Sequence, residues 1–267
     1  MTTKIPLDHP RAESLRIREA LIEGFDRGIV SRAGLIAHGR GEAFDYLLGE
    51  RTMRPALRAI EASAAMLLNA KKPAISVNGN AAALAAKEIV RLSKITNSQI
   101  EVNLFYRSLE REEAIGKVLR EAGAKEILGI GGDANAKIPE LSSQRRRVDS
   151  RGILKADVIV IPLEDGDRTE ALIKLRKKVI AIDLNPLSRT SRKATITIVD
   201  NIVRAIPQLA QSVERLKNLA DSKCEAIIES FDNKRNLARS LKLIKDRLAA
   251  IADKDLFLIK DDETIGL

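Results

Sequence analysis

Aromatic residues are scarce in this chain. Phe, Tyr and Trp together make up 3% of its 267 residues, and Trp is absent. Sequence-tolerant binding of single-stranded nucleic acid relies on aromatic faces for stacking. The shortage therefore argues against a nucleic-acid partner, although the formal net charge of +9 favours anionic ligands. No block of five consecutive basic residues occurs, and the densest cluster is Arg145-Arg146-Arg147. The one cysteine, Cys224, excludes an intramolecular disulfide and a thiolate metal cluster. It falls in a helical region and reads as an inert thiol. Two histidines, His9 and His38, are too few for a His-rich zinc site. A serine-hydrolase elbow, G-x-S-x-G, is missing. No run approaches the ~18 apolar residues of a membrane span. The polar start from Met1 to His9 lacks the apolar core of a signal peptide. A soluble, cytoplasmic protein with no membrane partner is expected.

What is present is aliphatic. Hydrophobic residues make up 45% of the chain, so Ala, Leu, Ile and Val must fill a substantial core. Helical periodicity predicts helices over residues 13–27, 52–70, 81–95, 111–122, 169–176 and 201–219. Short apolar runs predict strands over 74–77, 99–104, 126–130, 156–160, 179–182 and 195–199. Their alternation from 74 to 219 predicts an α/β fold with a mostly parallel sheet, flanking helices and helical additions at both ends. Residues 1–220 are expected to form one compact domain. Residues 221–267 read as a charged helical extension, packed outside or serving as a dimer arm, with 261–267 as a tail. Ligands of such sheets bind beyond the carboxyl ends of the strands. That rim would gather Asn78-Gly79-Asn80, Phe105-Tyr106-Arg107, Gly131-Gly132-Asp133, Glu164 to Arg168, and Asp183 to Arg189.

The exit Ile161 to Thr169, I-P-L-E-D-G-D-R-T, crowds Glu164, Asp165 and Asp167 into four positions. Like charges so close repel, so a compensating group is expected. Three explanations stand: Mg²⁺ on Asp165 and Asp167, a nearby arginine cluster, or a helix start capped by Asp167. His38-Gly39-Arg40-Gly41-Glu42 follows the apolar patch 33–37 and reads as a phosphate loop or as a tight turn with a solvated arginine. It is neither a Walker loop nor a dinucleotide fingerprint. Gly129-Ile130-Gly131-Gly132 lacks the third, correctly spaced glycine of a phosphate cradle and reads as a flexible turn. Asp183 can bind a ribose hydroxyl or order an arginine, and Ser188-Arg189-Thr190 offers donors to a phosphate.

Several long blocks taken together resemble a known family. They are Ile5-Pro6 with His9-Pro10-Arg11, Ser14-Leu15 with Arg18-Glu19, Gly34 to Leu47, Ser76 to Asn80, Pro162 to Leu172, and Asp183 to Thr190 with Val199 to Ala205. The chain resembles the archaeal phosphopantothenate synthetases, or 4-phosphopantoate–β-alanine ligases, over roughly residues 4–210. Neither the C-terminal helical segment nor the basic stretch at 142–147 takes part, and neither is assigned a role. The resemblance implies a Rossmann-like homodimer of coenzyme A biosynthesis. Such an enzyme condenses (R)-4-phosphopantoate with β-alanine and cleaves ATP to AMP and pyrophosphate through an acyl adenylate. It further implies that ATP is bound by Arg18, Arg40, Asp183, Leu184, Asn185, Arg189, Thr190, Asn201 and Ile202, all of which match.

The chemistry adds its own expectations. Arg18, Arg40 and Arg189 would clamp phosphates, and Asp165 or Asp167 would help position Mg²⁺. His38, Asn78 and Asn80 would contact the acid substrate. Glu42 or Asp165 would take the proton from the amine. Two competing classes remain: another ATP-using α/β enzyme, such as a kinase of a small acid, and a nucleotide- or RNA-binding module without turnover.

Overall fold

A computed structural model of the chain describes residues 5–253 apart from 7, 10, 139, 140, 142 and 164. Three helices come first: α1 (Ala12–Asp26), α2 (Arg32–Leu48) and α3 (Arg54–Leu68). The central run is β1 (Pro73–Val77), α4 (Gly79–Thr96), β2 (Gln99–Val102) and α5 (Leu109–Glu121). A small antiparallel pair follows, β3 (Ala136–Lys137) with β4 (Arg147–Val148). The chain continues with β5 (Val158–Pro162), α6 (Gly166–Lys174), β6 (Lys178–Ile182), α7 (Arg189–Lys193), β7 (Ile196–Ile198), α8 (Ile202–Leu216), α9 (Asp221–Glu229) and α10 (Asn233–Ala252).

The main sheet has the order β2-β1-β5-β6-β7, and every pairing is parallel. A parallel sheet needs cover on both faces, so its strands are apolar throughout rather than alternating. Accordingly β1 and β5 are buried at every position. Ile75, Val77, Val158, Val160, Ile180 and Ile182 face a large core built with helices α1, α3, α4, α5 and α8. Ala74, Ile159, Ile161, Val179 and Ala181 face a smaller core completed by Ile138, Val148, Ile153 and Leu172. Cys224 is free and buried in the larger core.

The chain passes from β1 outward to β2, then back across β1 to β5. This reversal of strand order opens a crevice between the carboxyl ends of β1 and β5, the place where open α/β sheets bind ligands. Side-chain caps set the helices that start there. Asn78 Oδ1 accepts from Ala81 N at 3.0 Å, and Asp165 Oδ1 accepts from Arg168 N at 2.9 Å. Asn201 caps α8 through Val203 N at 3.3 Å. The C-terminal segment packs on the body: α9 lies against α3, and α10 lies against α3, α2, α7 and β7.

Three local expectations are corrected. The His38–Glu42 block is no loop, because it lies within α2 together with the apolar patch before it. Glycines 39 and 41 weaken a helix by about 1 kcal/mol each. The Ser31 cap and the inward-facing Glu42, Asp45 and Leu48 outweigh that cost. Residues 126–130 form no strand. Leu128 alone bridges to Glu101, and Gly129 at φ +79° turns the chain away. The cap of α6 is Asp165, and the helix begins at Gly166, so Asp167 is already inside its first turn.

Candidate active site

A cavity of about 520 Å³ lies over the strand exits. Four of the five expected exits contribute to its lining: Asn78, Gly79 and Asn80 after β1; Phe105 and Tyr106 after β2; Asp165 and Gly166 after β5; and Asp183, Leu184, Asn185, Ser188 and Arg189 after β6. Asn201 and Ile202 follow β7, and α2 supplies His38, Arg40 and Phe44. The fifth expected exit, Gly131 and Gly132, instead lines a separate groove with Arg107, Ser108, Glu112 and Arg147.

The β6 exit is a tightly bonded turn. Asp183 Oδ1 accepts from Asn185 N at 2.9 Å, and the other oxygen accepts from Ser188 Oγ. Asn185 Oδ1 accepts from Leu187 N at 2.9 Å, and its carbonyl accepts from Ser191 Oγ at 2.8 Å. Burial raises the pKa of Asp183; these hydrogen bonds and the charge of Arg40 act against that rise. Arg40 itself makes no hydrogen bond or ion pair among the described residues, which leaves its guanidinium open to the cavity. Asn201 donates to Asp45 Oδ2 at 2.9 Å, which fixes the start of α8. Arg204 pairs with the same Asp45, with Asp200 and with Glu13. The N-termini of α4, α6 and α8 all open toward the cavity, and helix N-termini favour anions.

Twelve residues expected at the site line this cavity: His38, Arg40, Asn78, Asn80, Asp165, Asp183, Leu184, Asn185, Arg189, Thr190, Asn201 and Ile202. Three do not. Arg18 and Glu42 pair with each other at 2.9 Å beside the cavity, and Tyr46 bonds to both. Asp167 is exposed and paired with Arg189, which also holds Glu170 at 2.8 Å. His38 sits between the cavity and a small pocket that contains Glu42 and Asp45. Burial lowers its pKa, partly offset by Glu42, and its Nε2 is buried without a hydrogen-bond partner among the described residues. An orphaned ring nitrogen on a cavity wall suits a polar ligand atom.

The two asparagines are largely committed to the fold. Asn78 Nδ2 donates to the carbonyls of Pro162 and Leu163, at 2.9 and 3.1 Å, and so ties the β1 exit to the β5 exit. Leu163 is held at φ +54°, an uncommon conformation for a residue with a side chain. Asn80 Nδ2 donates to Gly34 O at 2.8 Å and fastens α4 to α2. A Cβ at position 34 would collide with the Asn80 amide, so glycine is needed there for this close approach.

The acidic turn is met by arginines. Asp165 Oδ2 accepts from Arg145 Nη1 at 2.9 Å while Oδ1 caps α6. Glu164 lies outside the described residues. Among the described residues, no three His, Cys, Asp or Glu side chains gather as a metal site would require. Asp165 and Asp167 are paired instead with Arg145 and Arg189 respectively.

Sequence reasoning missed Arg145 and Arg111, which line the cavity. Arg145 is 8% exposed, and its guanidinium carbon lies 5.9 Å from the centre of the Phe105 ring. Arg111 donates to the carbonyls of Tyr106 and Ile29. The Arg145-Arg146-Arg147 cluster was visible, but nothing local aimed it at a site 20 residues further along the chain.

The strand order, the switch-point cavity and its cationic lining define a Rossmann-like α/β protein shaped to hold an anionic ligand. The chain belongs to the phosphopantothenate/pantothenate synthetase family, whose pattern matches residues 55–247. It is 52% identical over 251 residues to the 4-phosphopantoate–β-alanine ligase of Thermococcus onnurineus, covering 94% of this chain and 95% of that protein. The ligase of the same name from Thermococcus kodakarensis is 50% identical over 260 residues, covering 97% and 99% of the two chains. That of Methanosarcina mazei is 50% identical over 250 residues, covering 94% and 98%.

Proposed function

We propose that this chain is an ATP-dependent ligase that joins (R)-4-phosphopantoate to β-alanine, yielding phosphopantothenate, AMP and pyrophosphate in the cytoplasm. One observation carries the reading: about half of all residues agree, over nearly the full length of both chains, with proteins named for this reaction. No helix among the described residues is long and apolar enough to cross a membrane.

A carboxylate is a poor electrophile. In the first step its oxygen attacks the α-phosphorus of ATP, the bond to the β-phosphate oxygen breaks, and pyrophosphate leaves. In the second step the free amine of β-alanine attacks the resulting mixed anhydride, AMP leaves with the bonding electron pair, and the amine gives up a proton. The chain's task is to hold anions face to face and offset their charge. Arg40 and Arg189 are the proposed phosphate clamps. The turn from Asp183 to Asn185, with Thr190, Asn201 and Ile202, would frame the nucleotide. Arg18 would act from beside the cavity, where its present partner is Glu42. His38 is the proposed contact to the acid. Asn78 and Asn80 would shape its wall more than bond to it, since their amides are engaged. Asp165 is the preferred proton acceptor over Glu42, because it lies on the cavity wall and Glu42 does not. Mg²⁺ would arrive as the counter-ion of the polyphosphate, since this ion commonly binds through substrate phosphates.

A homodimer is also proposed. Ile36 is 73% exposed and shares one side of α2 with the exposed Gly39 and Ala43, an apolar stripe that a second copy could cover. Light scattering of the purified protein tests it. For the reaction itself, the protein is mixed with ATP, Mg²⁺, 4-phosphopantoate and β-alanine. A new amide with AMP is expected; release of ADP would indicate a kinase, and no turnover would remove the reading.

A further inference from the structure

The switch point divides the cavity. The β6 and β7 exits lie on one side of it, and the β1 and β2 exits on the other. On the β6–β7 side, Arg189 and Thr190 open α7, a helix of only 5 residues. So short a helix does not hold itself in water, and its place must come from what surrounds it. At the front, Ser188 Oγ accepts from Ser191 N at 2.9 Å, and Ser191 Oγ donates to the Asn185 carbonyl at 2.8 Å. These bonds fasten α7 to the turn that begins at Asp183. At the back, the last carbonyls of a helix find no partner within it. Asn233, in the first turn of α10, meets them. Its Nδ2 donates to the carbonyls of Ser191 and Ala194, at 2.9 and 3.1 Å. Its Oδ1 accepts from Thr197 N on β7 at 2.8 Å. One side-chain amide thus joins α7 to β7 and uses both its donor and its acceptor end.

Asn233 is itself held. Asp232 caps α10 through Arg235 N at 3.0 Å. Within the same turn, Asn236 Nδ2 donates to the Pro55 carbonyl on α3 at 3.0 Å. Leu237 joins a small core with Leu184 of the β6 exit, Leu48 of α2 and Val199 beyond β7. The C-terminal segment, which reads from the sequence as an outer extension or a dimer arm, therefore forms a back wall to the elements that carry Arg40, Leu184, Arg189 and Thr190.

We propose that Asn233 is a positioning residue for the nucleotide. It does not line the cavity. It sets the depth of α7 against β7, and with it the place of Arg189, Thr190 and the turn bonded to them. The inference rests on the reading that ATP binds over the β6 and β7 exits. Reacting groups and their clamps must be held closely, because an ångström of misplacement can cost about a hundredfold.

The test uses the whole protein. Wild type, Asn233→Ala, Asn233→Asp and Asn236→Ala are compared in amide formation, in ATP binding by calorimetry with Mg²⁺, and in thermal melting. Asn233→Ala should raise both KM and Kd for ATP at least about tenfold, while KM for 4-phosphopantoate holds. Asn233→Asp keeps the acceptor for Thr197 N but turns a carboxylate oxygen toward two carbonyls. It should lose ATP in the same way, and it carries the test if the alanine variant does not fold. Asn236→Ala breaks a bond from the same turn of α10 to α3, so it should lower the melting temperature and leave KM for ATP where it is. A lower melting temperature in Asn233→Ala with KM for ATP unchanged would overturn the positioning role. So would equal losses for ATP and the acid, or an equal rise in KM for ATP in Asn236→Ala. A wild type whose ATP binding depends on Asn233 but which makes no amide overturns the ligase reading and keeps the positioning role. Amide formation and ATP binding that are both indifferent to Asn233 do the reverse.

Discussion

The two halves of the cavity are built in opposite ways. On the β6–β7 side two arginines reach into solvent, although Asp200 just beyond β7 is buried: Arg189 is about half exposed, and Arg40 makes no hydrogen bond or ion pair among the described residues. The backbone of a short turn does the positioning there. On the β1–β2 side the charges are inside. Glu101 and Arg168 are fully buried and Arg145 nearly so. Glu101 accepts from the backbone of Asp149 and Ile153, at 3.0 and 2.7 Å. A side chain that is free costs the fold little and can serve a ligand directly. A buried charge is tied to the sheet, so it serves the fold first and affects a ligand through the field it sets. Substitutions should separate the two halves: damage to stability on one side, damage to turnover on the other.

The largest expected effect is on the buried side. Arg168→Ala removes one partner of a buried network and leaves Ser76 and the nearby Glu101 and Asp165 without it. Breaking a buried charge network in this way costs about 3–5 kcal/mol. Chemical denaturation should show it, and a loss below about 1 kcal/mol would mean that the β1–β2 side is no more committed to the fold than an ordinary surface.

Next comes a dependence on pH. Burial pushes the carboxyl group of Glu101 up to about 7, against an ordinary value of 4.5. Below about pH 4.5 the group is protonated in the folded and the unfolded chain alike and has no differential effect. As pH rises toward 7 the unfolded chain releases the proton and the folded chain keeps it. Stability therefore falls across that window, by on the order of 3 kcal/mol, and levels off above it. Asp183 and Asp200 are also raised by burial and add their own slopes. Comparing wild type with Glu101→Gln from pH 4 to 8 isolates the Glu101 part, because any constant cost of the amide drops out of the slope. Parallel curves would contradict a protonated Glu101.

How much was legible follows the same division. The D-L-N turn was legible as the exit of a strand, and the R-T and N-I pairs through the family resemblance; the cavity gathers all three. The β1–β2 half draws Ser76, Glu101, Asn103, Arg145, Asp165 and Arg168 from separated segments, and only the folded chain brings them together. The alternation of strands and helices was readable because apolar runs and helical periodicity are local. Strand order was not, since it depends on which crossover goes where. His38–Glu42 misled because glycine usually punctuates a helix; here contacts from Glu42, Asp45 and Asn80 decide otherwise. Arg145 gave no signal, because a basic triplet reads the same on a surface as in a cavity wall.

On the exposed side the third expectation is kinetic. Arg40→Ala should lower ATP-dependent turnover at least about tenfold, the loss of one charge-assisted phosphate contact. Stability should stay within about 0.5 kcal/mol of wild type, as for an unpaired surface group. Full activity would remove Arg40 from the nucleotide site, and a large drop in stability would erase the contrast between the two halves.

The smallest effect is the most pointed. Asp167 either helps hold Mg²⁺ or does nothing beyond its exposed pairing with Arg189. The geometry favours the pairing, since Asp167 is not among the residues that line the cavity and the cap of α6 is Asp165. Asp167→Asn should then leave the Mg²⁺ concentration for half-maximal turnover where it is in wild type, with the melting temperature unchanged. Even loss of an outer-shell partner weakens metal binding by about tenfold or more, so a rise of that size would restore Asp167 as a ligand. It would also imply that Arg189 releases it when ATP arrives, making the exposed half of the cavity a site that rearranges around its nucleotide while the buried half stays fixed.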